Sequence, residues 1–340
     1  MMLALVNIFS SFRYRTHGVK EMDYSVVVPL YNEEEVINEC YTRLTETMSG
    51  CDGSYELIFV NDGSDDGTMS LAREIARKDD HVKILSFSRN FGHQNAITAG
   101  MNKASGHAVI VIDADLQDPP HVIPDMIAKW KEGFEVVYGK RIKRKGESIF
   151  KKASAKLFYR ALNSLTELNV PADAGDFRLL DRKVVDVLTS LPERNRYVRG
   201  LVSWVGFRQT AVEYIREERF AGKTKYPLRK MLKFASDALT SFSYKPLKLP
   251  GVAGVILSLL SFVYLLVMLL LAAFTDYELS LLACLVTVSL FFNGIVLIAL
   301  NIIGQYVGRI SDETKARPLY IIGETVGFET MESGNPSGEG

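Results

Sequence analysis

The sequence predicts an α/β protein with a mainly parallel, doubly wound sheet, followed by a C-terminal two-helix transmembrane hairpin. Three observations predict it. Apolar runs rich in β-branched residues alternate with amphipathic helical stretches through the first half of the chain, the β-α-β-α signature of such a sheet. Two of those runs end in acidic turns, Asn61-Asp62-Gly63-Ser64-Asp65-Asp66-Gly67-Thr68 and Asp113-Ala114-Asp115-Leu116-Gln117-Asp118-Pro119-Pro120. Two long stretches, 249–274 and 279–307, carry no charge, and each is long enough to cross a hydrocarbon core, which takes about 20 residues.

The elements follow in order. Residues 1–22 are an N-terminal extension with an apolar start and then Arg13, Arg15 and Lys20. That order is the reverse of a signal peptide's, and Met22 stands as an alternative start. Residues 23–226 form the globular domain. Tyr24–Leu30 is a buried strand, and Asn32 is placed to cap the next helix, with Glu33, Glu34 and Glu35 in its first turn. Val36, Ile37, Cys40, Tyr41, Leu44 and Met48 give that helix its apolar stripe. Strands are expected at Leu57–Val60, Val82–Phe87, Val109–Ile112 and Val136–Tyr138. Helices are expected from Thr68 to about Arg77, from Gly92 to Ala104 and from Pro120 to about Glu132. A loop at Pro171–Gly175, a short segment Asp176–Leu180, a helix at Arg182–Thr189 and a strand at Gln209–Ile215 complete the domain.

Residues 227–248 read as an amphipathic interface helix, with Leu228, Met231, Leu232, Ala235, Leu239 and Phe242 on one face; packing of that face onto the globular domain is the alternative. The spans 249–274 and 279–307 are joined by the acidic loop Thr275-Asp276-Tyr277-Glu278. Lys245 and Lys248 precede the first span, and Arg309, Lys315 and Arg317 follow the second. The positive-inside rule then puts the catalytic domain and both termini in the cytoplasm of a cell (inner) membrane protein. Residues 308–340 are a cytoplasmic C-terminal segment with a disordered end.

Composition narrows the function. Forty basic residues balance forty acidic ones, so nothing makes the chain a general nucleic-acid binder. The three cysteines, Cys40, Cys51 and Cys284, lack metal-ligand spacing and read as free thiols in a reducing compartment. In an open α/β sheet, ligands bind beyond the carboxyl ends of the strands, where Asp62, Asp113 and Asp115 fall. Paired carboxylates there repel unless a hard cation such as Mg²⁺ or Mn²⁺ lies between them. A basic run from Lys140 to Arg160 reads either as a solvated face or as a loop and helix start that receive phosphates. No Walker loop, G-x-G-x-x-G fingerprint or G-x-S-x-G elbow is present, which argues against an ATPase, a nicotinamide enzyme and a lipase-like hydrolase.

Several motifs in order carry a resemblance: Val28-Pro29-Leu30-Tyr31-Asn32-Glu33-Glu34, the Asp62 turn, Arg89-Asn90-Phe91-Gly92, the Asp113 turn and Gly175-Asp176-Phe177-Arg178-Leu179. From about Tyr24 to Arg317 the chain resembles the inverting GT-A (Rossmann-like) glycosyltransferases of family 2, of the polyprenyl-phosphate hexose transferase type. That type includes the bactoprenol glucosyltransferases and dolichol-phosphate mannose synthases. The resemblance implies that Pro29, Tyr31, Glu33 and Asp62 hold base and ribose, with Asp113, Ala114 and Arg141 completing the nucleotide-sugar site. It implies Asp113, Asp115 and Gln117 as the Mg²⁺ or Mn²⁺ ligands. Acceptor phosphate would meet Lys151, Lys152, Ser154, Arg178, Lys223 and Lys225. Asp176 would be the catalytic carboxylate beside Asp115, with Asp173 the runner-up; a lipid phosphate has a second pKa of about 6 and needs no base, so Asp176 is expected to orient the acceptor.

The expected reaction moves a hexose, glucose from UDP-glucose first, onto polyprenyl (undecaprenyl) phosphate at the membrane. Mannose, galactose, N-acetylhexosamine and aminoarabinose derivatives are the alternative sugars, and a homo-oligomer is compatible with the family. A processive polysaccharide synthase is disfavoured because no Gln-x-x-Arg-Trp motif precedes the spans. A non-catalytic, membrane-anchored nucleotide-sugar-binding protein is the alternative of another class, and the intact Asp62, Asp113 and Asp115 weigh against it.

Overall fold

The computed structural model describes residues 22–143, 174–194, 196–216, 263, 274 and 281–328. The strands are β1 (Met22–Leu30), β2 (Tyr55–Asn61), β3 (Val82–Phe87), β4 (Gly106–Val111), β5 (Val136–Lys143), β6 (Ala174–Asp181), β7 (Gln209–Ile215) and β8 (Ile322–Val326). The helices are α1 (Ile37–Ser49), α2 (Thr68–Lys78), α3 (His93–Lys103), α4 (Ile123–Lys131), α5 (Arg182–Ser190), α6 (Val198–Trp204) and α7 (Leu281–Lys315). One eight-stranded sheet runs β7-β5-β6-β4-β1-β2-β3-β8. The first four strands pair in parallel. β6 is antiparallel to both β4 and β5, β7 runs parallel to β5, and β8 is antiparallel to β3. The sheet is thus mainly parallel, as expected, with one antiparallel strand inserted, β6, and one at the edge, β8.

Burial explains the strand composition. Val26, Val28, Leu57, Phe59, Ile110 and Leu179 face one core with the α1 residues Ile37, Leu44 and Met48. Val27, Ile58, Val60, Val109 and Val111 face the other, beneath α3, α5 and α6. Alternate residues of the same strands therefore enter opposite layers, which is why those strands read as unbroken apolar runs.

Three local expectations are corrected. The Asp176–Leu180 segment is the middle of a full strand, β6, inserted between β4 and β5. Asn32 does not cap α1, which begins only at Ile37 with no side-chain cap. It sits at φ 53°, and its amide oxygen accepts from Asp65 N at 2.9 Å while its own N donates to Ser64 Oγ at 3.0 Å. The two loops at the ends of β1 and β2 are stitched together instead. The segment 308–340, read only as a C-terminal segment with a disordered end, supplies β8 on the sheet edge.

The interface helix 227–248, the N-terminal extension before Met22 and nearly all of span 249–274 lie outside the described residues. Span 279–307 falls on α7. Among the described residues no helix is identified as long and apolar enough to cross a membrane.

Candidate active site

The site is built where β1, β2 and β4 end and β6 begins. Ile112 N donates to Val27 O at 3.1 Å, which holds the exit of β4 against β1. The chain then enters the Asp113–Asp118 turn. Leu116 adopts φ 57° with its side chain 2 % exposed. A non-glycine residue in the left-handed region costs roughly 1–2 kcal/mol, and such strain collects at functional turns. Gln117 N donates to Asp115 Oδ1 at 3.1 Å, closing the turn.

Strand register brings in the opposing carboxylate. β4 and β6 pair with Val111 opposite Arg178. Continuing that antiparallel ladder by two residues on each strand puts Asp176 opposite Asp113. A one-residue slip would turn Asp176 to the other face. His93, at the start of α3, lies between them, with Nε2 3.4 Å from Asp113 Oδ1 and 3.3 Å from Asp176 Oδ2. Arg199 donates through Nε to Asp176 Oδ1 and through Nη2 to Oδ2, both at 2.7 Å. Asp113 Oδ1 is buried and makes no hydrogen bond among the described residues.

The charges of this row are interdependent. Desolvation pushes Asp113 up, His93 pulls it back, and the carboxylates of Asp176, Asp118 and Asp115 push it up again, so it ends above the usual range. Desolvation also opposes the Asp176 anion, but Arg199 and His93 outweigh it and hold Asp176 well below that range. His93 is disfavoured as a cation by desolvation, yet Asp113 and Asp176 raise it to about 9.

A second cluster braces the turn from the other side. Asp118, 1 % exposed, accepts from Arg141 Nη2 at 3.0 Å and from the Tyr214 hydroxyl. Arg141 Nε donates to Tyr214 Oη at 3.1 Å. Arg216 Nη2 donates to Gln117 Oε1 at 2.7 Å. Gly175 leaves room for this cluster, since a Cβ there would lie 2.5 Å from Arg141 Nη2 and push the guanidinium aside.

The remaining predicted residues fall on the same edge. Asp62 is 3 % exposed and accepts from Phe91 N at 2.7 Å and from Gly92 N at 3.0 Å, so it pins the Arg89–Gly92 turn. Gly63, at φ 65°, lets that turn approach, because a Cβ would lie 2.4 Å from the Arg89 carbonyl carbon. Pro29 is buried on β1 opposite Val60, and Tyr31 is partly exposed beyond it. Glu33 N donates to Thr68 Oγ1 at 2.8 Å. Ala114 is 3 % exposed. Arg178 is 4 % exposed on β6, donates through Nη2 to Gly175 O at 2.8 Å, and has its pKa lowered to about 10 by burial. Lys151, Lys152, Ser154, Asp173, Lys223 and Lys225 lie outside the described residues.

The structure therefore brings Asp62, Asp113, Ala114, Asp115, Gln117, Arg141, Asp176 and Arg178 to one edge. Residue reasoning missed His93, Arg199, Tyr214 and Arg216, and it quoted Asp118 without a role. Only His93 had a signal, its place directly after Arg89–Gly92. The others meet the site through tertiary structure alone.

Among the described residues no group of three or more His, Cys, Asp or Glu side chains forms a ready metal cage. The residues nevertheless fit a hard cation. Asp113 Oδ1 is buried without a hydrogen bond, its one nearby cation among the described residues being His93 at 3.4 Å, three further carboxylates add negative charge around it, and the Asp113, Asp115 and Gln117 donors are all oxygens.

A doubly wound α/β sheet with carboxylates and arginines at its strand ends defines the class as a Rossmann-like domain with a ligand site at the carboxyl edge. The model of glycosyl transferase family 2 matches residues 25–189. The chain is 56 % identical over 310 residues to the Bacillus subtilis protein called uncharacterized glycosyltransferase YkcC, covering 91 % of this chain and 96 % of the relative. It is 40 % identical over 301 residues to the prophage bactoprenol glucosyl transferase homolog of Escherichia coli K12, covering 88 % and 98 %. The bactoprenol glucosyl transferase of Shigella phage SfV is likewise 40 % identical over 301 residues, with 88 % and 98 % covered. A solved structure of glucosyl-3-phosphoglycerate synthase from Mycobacterium tuberculosis with Mn²⁺, uridine-diphosphate and phosphoglyceric acid is similar at 22 % identity and TM-score 0.46, covering 64 % of this chain and 76 % of that one. The protein belongs to glycosyl transferase family 2 and is a glycosyltransferase.

Proposed function

We propose that the protein is a membrane-anchored inverting hexosyltransferase that moves glucose from UDP-glucose to polyprenyl (undecaprenyl) phosphate. The observation that carries this reading is the match along nearly the whole chain, 40 % identical over 88 % of it, to proteins named bactoprenol glucosyl transferase. In the proposed step a phosphate oxygen of the lipid attacks the anomeric carbon of the sugar. The bond from that carbon to the nucleoside diphosphate breaks, and its electron pair leaves on the diphosphate. An α-linked donor thus becomes a β-linked lipid phosphosugar.

Asp62, Tyr31 and Glu33 surround the base and ribose in this reading, and Asp113, Asp115 and Gln117 hold a divalent cation. When bound, that cation screens the negative charge of the diphosphate. Arg178, with a buried Nε lacking a hydrogen bond among the described residues, offers a donor to phosphate. Arg141 is committed to Asp118 and Tyr214, so its part is to support the turn that carries the metal-binding oxygens. The two apolar stretches keep the site at the depth of the lipid head group.

The test is a transfer assay on the purified full chain with undecaprenyl phosphate, Mn²⁺ or Mg²⁺, and labelled nucleotide sugars in turn. The expected result is label entering the organic phase from UDP-glucose and its loss in Asp115→Ala. Transfer from a different donor alone would reassign the sugar. A product that retains the donor's anomeric configuration would overturn the single displacement.

A further inference from the structure

Arg199 belongs to no motif, yet its placement is tightly built. It lies in the first turn of α6, whose Val198, Leu201 and Val202 are buried under the sheet. Val198 N donates to Gln94 Oε1 at 2.9 Å, and Gln94 follows His93 on α3. Arg196, just before α6, donates through Nη1 to Leu188 O of α5 at 3.0 Å. The guanidinium is thus delivered from a helix fixed on both sides. It meets Asp176 as a two-pronged fork, and the row continues through His93 to Asp113.

We propose that Arg199 is a positioning residue for the transfer, locking the Asp176 carboxylate in one orientation and, through His93, fixing the Asp113 carboxylate at the donor edge. Asp176 in this arrangement holds geometry and charge and takes no proton. Both of its oxygens are occupied by a charge-assisted fork, the strongest kind of ion pair. A general base needs a pKa near the working pH, and Asp176 is held far below it. This rests on the transferase reading above and adds to its site a residue that acts through Asp176.

The fork could also be no more than a clamp between α6 and β6, so the experiment must separate positioning from folding. Three variants of the full chain serve: Arg199→Ala, Arg199→Lys and Val202→Ala, the last loosening the packing of α6 without touching the carboxylate. Transfer to undecaprenyl phosphate, UDP affinity and the melting temperature are measured for each. The expected loss in Arg199→Ala is roughly 10- to 100-fold in kcat, the scale of a misplaced reacting group, with UDP affinity little changed. Arg199→Lys restores the charge but not the fork and recovers only part. Added millimolar guanidinium partly rescues Arg199→Ala and does nothing for Val202→Ala.

Normal kcat in Arg199→Ala would overturn the proposal. So would a loss matched by Val202→Ala at equal destabilisation, with no rescue by guanidinium. If the unaltered chain transfers to no acceptor supplied, the reading under Proposed function fails instead, and the positioning role is then decided by the rate of donor hydrolysis in Arg199→Ala with and without guanidinium.

Discussion

Two buried carboxylates decide how individual residues hold this domain together. Asp118 faces Arg141, whose side chain is 11 % exposed, together with Tyr214 and Arg216. Removing one partner of a buried pair leaves the other charged and uncompensated. Asp118→Ala is therefore expected to destabilise the domain by about 3 kcal/mol, read from thermal unfolding of the purified protein; a change within the scatter of surface substitutions would show that water replaces the carboxylate there. Glu56 of β2 is fully buried and lies 2.7 Å from Lys83 Nζ on β3. It also accepts from Ser25 Oγ at 2.5 Å and from Ser105 N at 2.7 Å. Desolvation would raise Glu56, but Lys83, Ser25 and Ser105 outweigh it and lower its pKa from 4.5. A carboxylate depressed on folding stabilises above its unfolded pKa, and that stabilisation drains away as pH falls through the folded one. Glu56→Gln should thus cost about 2 kcal/mol near neutral pH, with the gap to the unaltered protein closing below pH 4.5. A gap that stays constant down to pH 3, roughly one unit below the usual carboxylate value, would mean that Glu56 contributes packing and not charge.

Elements differ in how far they could be read in advance. β3 and β7 were legible to the residue, because Val82–Phe87 and Gln209–Ile215 are strand-like by local composition. The acidic turns were legible too, since each follows a run that could only be a buried strand. β6 was not. Gly175, Asp176 and Arg178 interrupt its apolar pattern, and what makes it a strand is pairing on both sides with β4 and β5, which no local signal encodes. The same insertion sets Asp176 opposite Asp113, so half of the candidate site depends on a long-range register. Arg199 and Arg216 were illegible for the same reason. β8 is held by its pairing with β3, by a Phe87–Tyr320 stack with centroids 5.1 Å apart and by an Asn102–Tyr320 hydrogen bond of 3.0 Å. Its Arg73–Glu324 pair is about 40 % exposed on both sides. Exposed pairs contribute well under 1 kcal/mol on average, whereas truncating a stacked aromatic costs more, about 2 kcal/mol here. Hydrogen exchange of the β3 and β8 amides should therefore accelerate strongly in Tyr320→Ala and barely in Arg73→Ala. The reverse order would assign the strand's attachment to its charges.

At the scale of the whole molecule, sheet membership constrains how the chain can meet a bilayer. β7 ends at Ile215 and β8 begins at Ile322, yet both belong to one sheet. The end of α7 is tied to the same domain, because Arg194 N donates to Glu313 Oε1 at 2.8 Å and the Arg194 guanidinium reaches the Arg317 carbonyl. If the segment between β7 and β8 crosses a bilayer, it must return to the side from which it left, so the number of crossings is even. Two uncharged stretches, 249–274 and 279–307, meet that parity, whereas a single span would tear β8 from β3. Positive residues flank the outer ends of both stretches and Asp276 and Glu278 lie between them; for the proposed hairpin the positive-inside rule then predicts the acidic loop outside. In intact cells, a cysteine introduced as Tyr277→Cys is expected to react with a membrane-impermeant maleimide added outside, and one introduced as Ser311→Cys only after the membrane is opened. Labelling of both sites without permeabilisation, or release of the protein by alkaline carbonate, would mean that the apolar stretches pack on protein and do not cross the bilayer. Labelling of Ser311→Cys alone from outside would keep the hairpin and reverse it, placing the carboxylate edge away from the cytoplasmic supply of nucleotide sugar and removing the donor on which the proposed reaction depends.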